Sequence, residues 1–256
     1  CQSVPVRVVL PLDDPAQVVD AMWSAVTPQT RVIFLSHITS PTALIFPVEE
    51  ICRRAREAGI LTMIDGAHVP GHLPLTLDML DVDFYSGNLH KWLSSPKGAA
   101  FTYIRPEHHH LIDPLVISHG WESDDLSERT RWQGTRDVAA YLSVPAAIEF
   151  QRAHDWETVS TDCRELARET MHRICDLTGQ PPIATDDFFA QMVAAPLPDD
   201  ADIRQLSADL YEQHRVEIPL ISHGRRKFAR VSIAAYNTKT DADTLVDALA
   251  SLLDLG

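Results

Sequence analysis

The chain has 256 residues, 45% hydrophobic and 23% charged, a globular composition with length for one or two cores that excludes a disordered, collagen-like or coiled-coil protein. Its 22 Lys and Arg against 36 Asp and Glu leave a formal net charge of −14, which repels phosphate backbones and anionic lipid, so nucleic acid and membrane surfaces are poor partners. The four cysteines, Cys1, Cys52, Cys163 and Cys175, form no CxxC pair, which argues against a disulfide framework or a thiolate metal site and fits a reducing cytoplasm. Apolar stretches such as RVIFLSH break off well short of the roughly 20 residues that span a bilayer, and no signal peptide opens the sequence.

The first segment, CQSVPVRVVLPLDDPAQVV, reads as a strand, a loop and a helix from the middle of a domain; with Cys1 in place of Met, a preceding N-terminal part is expected. RVIFLSH (31–37) is a short β-branched strand, and VEEICRRAREAG (48–59) repeats apolar and small residues at helical spacing before a glycine stop. LTMID then forms a continuous apolar strand ending in Asp65 and Gly66, so a parallel βαβ unit is the natural reading. VDFYSG and GAAFTYI add two short strands, and the sheet is expected to be buried beneath helices. Beyond Trp132 two long helical patterns follow with a bend at Asp155–Thr158, where the domain transition is placed. The rest reads as strand FFAQMVAAPLP, helix ADIRQLSADLYEQH, strands VEIPLISH and FARVSIAAYN, and helix DADTLVDALASLLDL. The expected fold class is α/β: a large domain over 1–155 with a mostly parallel sheet, then a small α+β domain with its connecting helix over 156–256.

The chemistry concentrates between Asp65 and Lys91, 26 residues apart, because this spacing sets a strand-end carboxylate and a loop lysine at one carboxyl edge of a parallel sheet, where ligands bind. Alone, such an Asp is usually a turn or helix cap and such a Lys a solvated charge. Together, in DGAH and LHKW, they point to a site. Lys91 lies between His90 and Trp92, and apolar surroundings make an amine a usable nucleophile.

The run SHITSPTALIFPVEEICRRAREAGILTMIDGAHVPGHLPLTLDMLDVDFYSGNLHKWLSSPKGAAFTYIRPE resembles the cofactor-binding core of class V aminotransferases, fold-type I enzymes dependent on pyridoxal 5′-phosphate (PLP). PLVISHGW and RWQGTRDVAAYLSVPAAIEF are most similar to the isopenicillin N epimerase-like branch, and RVSIAAYNT to its C-terminal substrate-binding strand. The resemblance runs from about Val8 to the end.

It implies a role for each matching residue. Lys91 would bond the PLP aldehyde as a Schiff base and later move the substrate α-proton, while Asp65 would keep the pyridine nitrogen protonated. His68 would approach the ring's phenolic oxygen, and Ser40 stands in a turn where relatives often carry Asn. His90 would contact the phosphate and Ser86 could add a hydroxyl, although the position three before the lysine, Ser in many relatives, is Asn88. Thr135 would reach the phosphate of a neighbouring subunit's site, implying a homodimer; its plainer reading is a helix N-cap before VAAYL. Arg230 would clamp the carboxylate of an amino-acid substrate, with Arg225 and Arg226 as loop charges or partners of a second carboxylate.

The HHH run at 108–110 reads as a solvated loop, since three consecutive side chains cannot converge on one ion from a regular element, and no metal is expected. Cys52, Cys163 and Cys175 fall in helical patterns, which disfavours persulfide chemistry. The family's N-terminal phosphate loop and ring-stacking residue precede the region matched, and losing a helix N-terminus weakens phosphate binding. The favoured outcome is epimerisation at an amino-acid α-carbon, with transamination, a C–S lyase or desulfurase-like reaction, and a non-catalytic fragment as alternatives.

Overall fold

The computed structural model describes residues 2–254, and Cys1 lies outside them. The first half holds α1 (Pro15–Ser24), β1 (Val32–Ser36), α2 (Val48–Glu57), β2 (Leu61–Asp65), α3 (Leu77–Leu80), β3 (Phe84–Asn88), β4 (Ala100–Ile104) and α4 (Leu126–Arg131). The second holds α5 (Ala139–Leu142), α6 (Val144–Ala153), α7 (Trp156–Thr178), β5 (Met192–Leu197), α8 (Ile203–His214), β6 (Leu220–His223), β7 (Arg226–Ser232) and α9 (Lys239–Leu252). No helix among the described residues is long and apolar enough to cross a membrane. Contacts divide the chain into two compact units: Pro28–His37 with Val48–Phe150, and Ile38–Pro47 with the described residues up to Thr27 and from Gln151 onward.

The first unit carries a four-stranded sheet in the order β1-β2-β3-β4, with β1, β2 and β3 parallel and β4 antiparallel to β3. The β1–α2–β2 passage is the expected βαβ unit. Helix α2 buries Val48, Ile51, Cys52 and Ala55, a stripe at helical spacing, and keeps Glu50, Arg53, Arg54 and Glu57 outside in ion pairs three and four residues apart. Ile33, Leu35, Thr62 and Ile64 are buried on one face of the sheet. The other face departs from the expectation of a sheet buried beneath helices: Val32, Phe34 and Met63 are 49%, 63% and 40% exposed. A continuous apolar run cannot tell these cases apart, because alternate residues of a strand point to opposite faces and an apolar face need not be a covered one.

Asp83, just before β3, ties the strands at the edge opposite the carboxyl ends. It is buried, accepts from the Thr62 backbone N–H at 2.8 Å and hydroxyl at 3.0 Å, and faces Arg105 Nε at 3.3 Å and His108 Nε2 at 2.9 Å.

The second unit holds a three-stranded antiparallel sheet, β5-β7-β6, whose strand β5 is buried at every residue. Helix α7 buries Cys163, Ala167, Met171, Ile174 and Cys175 in one stripe. The anticipated bend falls at Asp155, which takes a left-handed conformation (φ 45°) between α6 and α7. The first segment departs from its expectation: residues 2–9 form no strand, and Leu12 alone makes a bridge, to Ala184. A strand needs a run of paired backbone groups, and Pro5 and Pro11 each remove a donor. Likewise β6 covers only the end of VEIPLISH, beginning after Pro219.

Candidate active site

The carboxyl ends of three parallel strands converge in the first unit, the edge where ligands of such sheets bind. Asp65 ends β2 and is paired in register with Ser36 of β1 and Ser86 of β3. Registered neighbours direct their side chains to one face, so Ser36, Asp65 and Ser86 form a polar row across the sheet. One Asp65 oxygen accepts the Ala67 N–H at 2.9 Å, so the plain turn role is also filled, by half of the carboxylate.

Gly66 follows, and a β-carbon there would run into the Tyr85 ring. The Tyr85 hydroxyl lies 3.1 Å from His37 Nδ1 beneath this turn. Burial lowers the His37 pKa to about 4, so this imidazole is neutral near pH 7; burial, with Asp65 nearby, pushes the Tyr85 phenol up. The turn therefore rests on an uncharged, hydrogen-bonded pair.

Two loops meet above it. Lys91 Nζ lies 3.3 Å from His68 Nε2, and the Trp92 indole N–H donates to His68 Nδ1 at 3.3 Å. The His72 Nδ1–H donates to the His68 carbonyl at 2.9 Å, and the His72 and Trp92 rings stack at 3.9 Å between centroids. Burial lowers the His72 pKa to about 3. The loops approach this closely because residue 71 is glycine: its φ is +79°, and a β-carbon would lie 2.6 Å from the Leu93 backbone nitrogen. Beside Lys91, the His90 Nδ1–H donates to the Ala99 carbonyl at 2.9 Å, which leaves Nε2 as the ring atom available to a ligand.

The structure thus gathers Asp65, His68, Ser86, His90 and Lys91 in one unit near one sheet edge. Thr135, in the same unit, is exposed in a bend; the N-cap of α5 is Val138, with the Asp137 carboxylate accepting the Ala139 N–H, so the capping reading of Thr135 is set aside. Ser40 and Arg230 belong to the other unit and touch each other: Arg230 Nη1 donates to the Ser40 carbonyl at 2.7 Å and hydroxyl at 3.0 Å. Arg230 Nε is buried without a partner among the described residues, and burial lowers the guanidinium pKa. Arg225 and Arg226 are exposed where β6 turns into β7.

His108 and His109 turn to different partners, the Asp83 carboxylate and the Ile104 carbonyl. Cys52, Cys163 and Cys175 are buried free thiols, and burial raises Cys52 and Cys175 to about 11 and Cys163 upward, which keeps them as poor nucleophiles. Sequence reasoning missed His72 and the His37–Tyr85 pair. The signal for His72 was present, a second histidine four residues after His68 across a Val-Pro-Gly turn; nothing in the sequence marks the pairing of His37 with Tyr85, 48 residues away.

The sequence model of the family described as "Aminotransferase class-V" matches residues 1–245. The chain is 35% identical over 260 residues to the isopenicillin N epimerase of Amycolatopsis lactamdurans, with 95% of the chain and 65% of the relative covered. It is 33% identical over 256 residues to the Streptomyces clavuligerus protein of that name, covering 93% of the chain and 64% of the relative. It therefore spans about two thirds of the length of these relatives. The crystal structure of the cysteine desulfurase CsdA from Escherichia coli superposes with a TM-score of 0.76 over 93% of the chain and 62% of that structure at 24% identity, a likeness of fold.

Proposed function

The chain belongs to the class V aminotransferase family, and on that premise we propose that it acts with PLP at the α-carbon of an amino acid and inverts that centre, as a homodimer in a reducing cytoplasm. Enzymes of this family are PLP-dependent. Epimerisation is favoured because the Amycolatopsis lactamdurans and Streptomyces clavuligerus relatives, 35% and 33% identical over 95% and 93% of the chain, carry the name isopenicillin N epimerase.

The observation that carries the reading is the 3.3 Å contact of Lys91 Nζ with His68 Nε2, at the sheet edge where Asp65 ends β2. The donor set of the first unit fits PLP: one loop amine, a strand-end carboxylate and half-buried imidazoles. When bound, PLP supplies a cationic ring that accepts electron density from the substrate α-carbon. Lys91 would hold the cofactor aldehyde through Nζ and, once released, move the α-proton. Asp65 would hold a proton on the ring nitrogen, and His68 would donate to the ring oxygen. His90, Ser86 and Thr135 would meet the phosphate, His90 donating from Nε2 only as the imidazolium because Nδ1 already serves Ala99. Arg230, with Ser40 beside it, would take the substrate carboxylate as a bidentate pair. The buried, unactivated cysteines weigh against a persulfide-forming reaction.

The test is a visible absorption spectrum of the chain after addition of PLP and removal of unbound cofactor, beside Lys91→Ala. A retained band that the variant lacks supports the reading. Amino acids are then screened in deuterated buffer: α-deuterium gain without keto acid supports epimerisation, keto acid indicates transamination, and sulfide release a C–S lyase. A wild-type chain that retains no band overturns the reading in favour of a non-catalytic fragment.

A further inference from the structure

Trp92 was singled out in the sequence as apolar cover for the lysine, yet its polar atom is the one placed with most consequence. An indole N–H can only donate, so the 3.3 Å contact from Trp92 Nε1 requires a lone pair on His68 Nδ1. A neutral imidazole carries one proton, which must then sit on Nε2, the atom facing Lys91 Nζ at 3.3 Å. The imidazolium is disfavoured for the same reason, since it would aim a second N–H at the indole. The nitrogen that accepts from Nε2–H must itself carry a lone pair, which an amine has and an ammonium lacks.

We propose that Trp92 is a positioning residue that locks His68 in the tautomer protonated on Nε2, making His68 a fixed donor toward the Lys91 nitrogen and selecting the unprotonated amine as its partner. Two features hold the indole in place. Its ring stacks on His72 at 3.9 Å and 20°, and His72 is tied back to the His68 carbonyl by its Nδ1–H. The indole thus contacts the His68 ring and stacks on His72, which is itself anchored to the His68 backbone, and Gly71 permits the approach. Under the proposed function, on which this consequence rests, the amine so selected is the form that condenses with an aldehyde, and the same Nε2–H is the donor available to a ring oxygen.

The structure also supplies an internal control. A carbonyl only accepts, so His72 carries its proton on Nδ1 and His68 on Nε2, and one spectrum should show the two opposite tautomers. The experiment is a long-range proton–nitrogen correlation spectrum of the chain labelled with ¹⁵N-histidine, recorded without PLP, with His68→Gln and His72→Gln for assignment. The expected result is an unprotonated Nδ1 on His68 in the wild type. Trp92→Phe, which keeps a ring against His72 but removes the N–H, should average the two His68 nitrogen shifts while His72 stays as it was. A wild-type His68 protonated on Nδ1 overturns the proposal, as does a Trp92→Phe spectrum in which His68 is unchanged. If Trp92→Phe also disturbs His72, the wild-type indole proton of Trp92 decides: a shift on His68→Gln supports the contact, and none overturns it. Because every readout is taken without cofactor, failure of the PLP reading and failure of this proposal are separable.

Discussion

The α-carbon of Gly71 lies against the backbone of Leu93 so closely that a β-carbon on it would sit 2.6 Å from the Leu93 nitrogen. Gly71→Ala therefore meets two penalties, a left-handed φ and a collision with backbone that cannot swing aside. The expected loss is about 2 kcal/mol in urea unfolding. Gly59, also at positive φ but with nothing within 4 Å, is the comparison: Gly59→Ala should cost about 1 kcal/mol.

Removing one partner of a buried ionic cluster leaves the others uncompensated. Asp83→Asn strips the charge that faces Arg105 and His108 and weakens the two bonds from Thr62. A destabilisation of about 3 kcal/mol is expected from the unfolding midpoint.

Two buried histidines make stability fall in acid. His37 and His72 have folded-state pKa values lowered by burial to about 4 and about 3, below the ordinary 6.5. Between those values and 6.5 the unfolded chain binds protons that the folded chain refuses, so stability is complete above pH 6.5 and lost as pH falls toward 4. At pH 5 each contributes a loss of about 2 kcal/mol relative to neutral pH. Unfolding midpoints at both pH values, compared with His37→Gln and His72→Gln, should show a shallower pH dependence in each variant.

Thiol accessibility gives an independent check on the cysteines. Peptide-resolved alkylation at pH 8 should label Cys52, Cys163 and Cys175 slowly in the folded chain and rapidly in urea, because burial both hides the sulfurs and raises their pKa values. Rapid labelling of any of the three in the folded chain would count against their being inert.

Arg230 is expected to act through binding. Under the proposed function, Arg230→Lys keeps the charge but loses the planar fork, so the KM of an amino-acid substrate should rise at least tenfold, about 1.4 kcal/mol, with a smaller change in kcat. Ser40→Ala, which removes one of the two acceptors holding Nη1, should raise KM less.

The βαβ unit, the strand-end Asp65 and the loop Lys91 were legible in the chain because each depends on local order: an apolar run, a helical stripe, a carboxylate at a strand end, a lysine between His90 and Trp92. The resemblance added the cofactor and the family, which the comparison of residues 1–245 bears out. Tertiary structure decided what depends on two distant segments meeting. The first segment is apolar, but Pro5 and Pro11 interrupt its backbone donors and residues 2–9 form no strand; an apolar strand face could be open or covered with the same sequence. The direction of the Trp92 N–H likewise followed from where the 66–73 loop came to rest. Residue types and periodicity set which groups can donate, accept or be buried, whereas hydrogen bonds and burial are properties of pairs in space, and the folded chain alone chose the pairs.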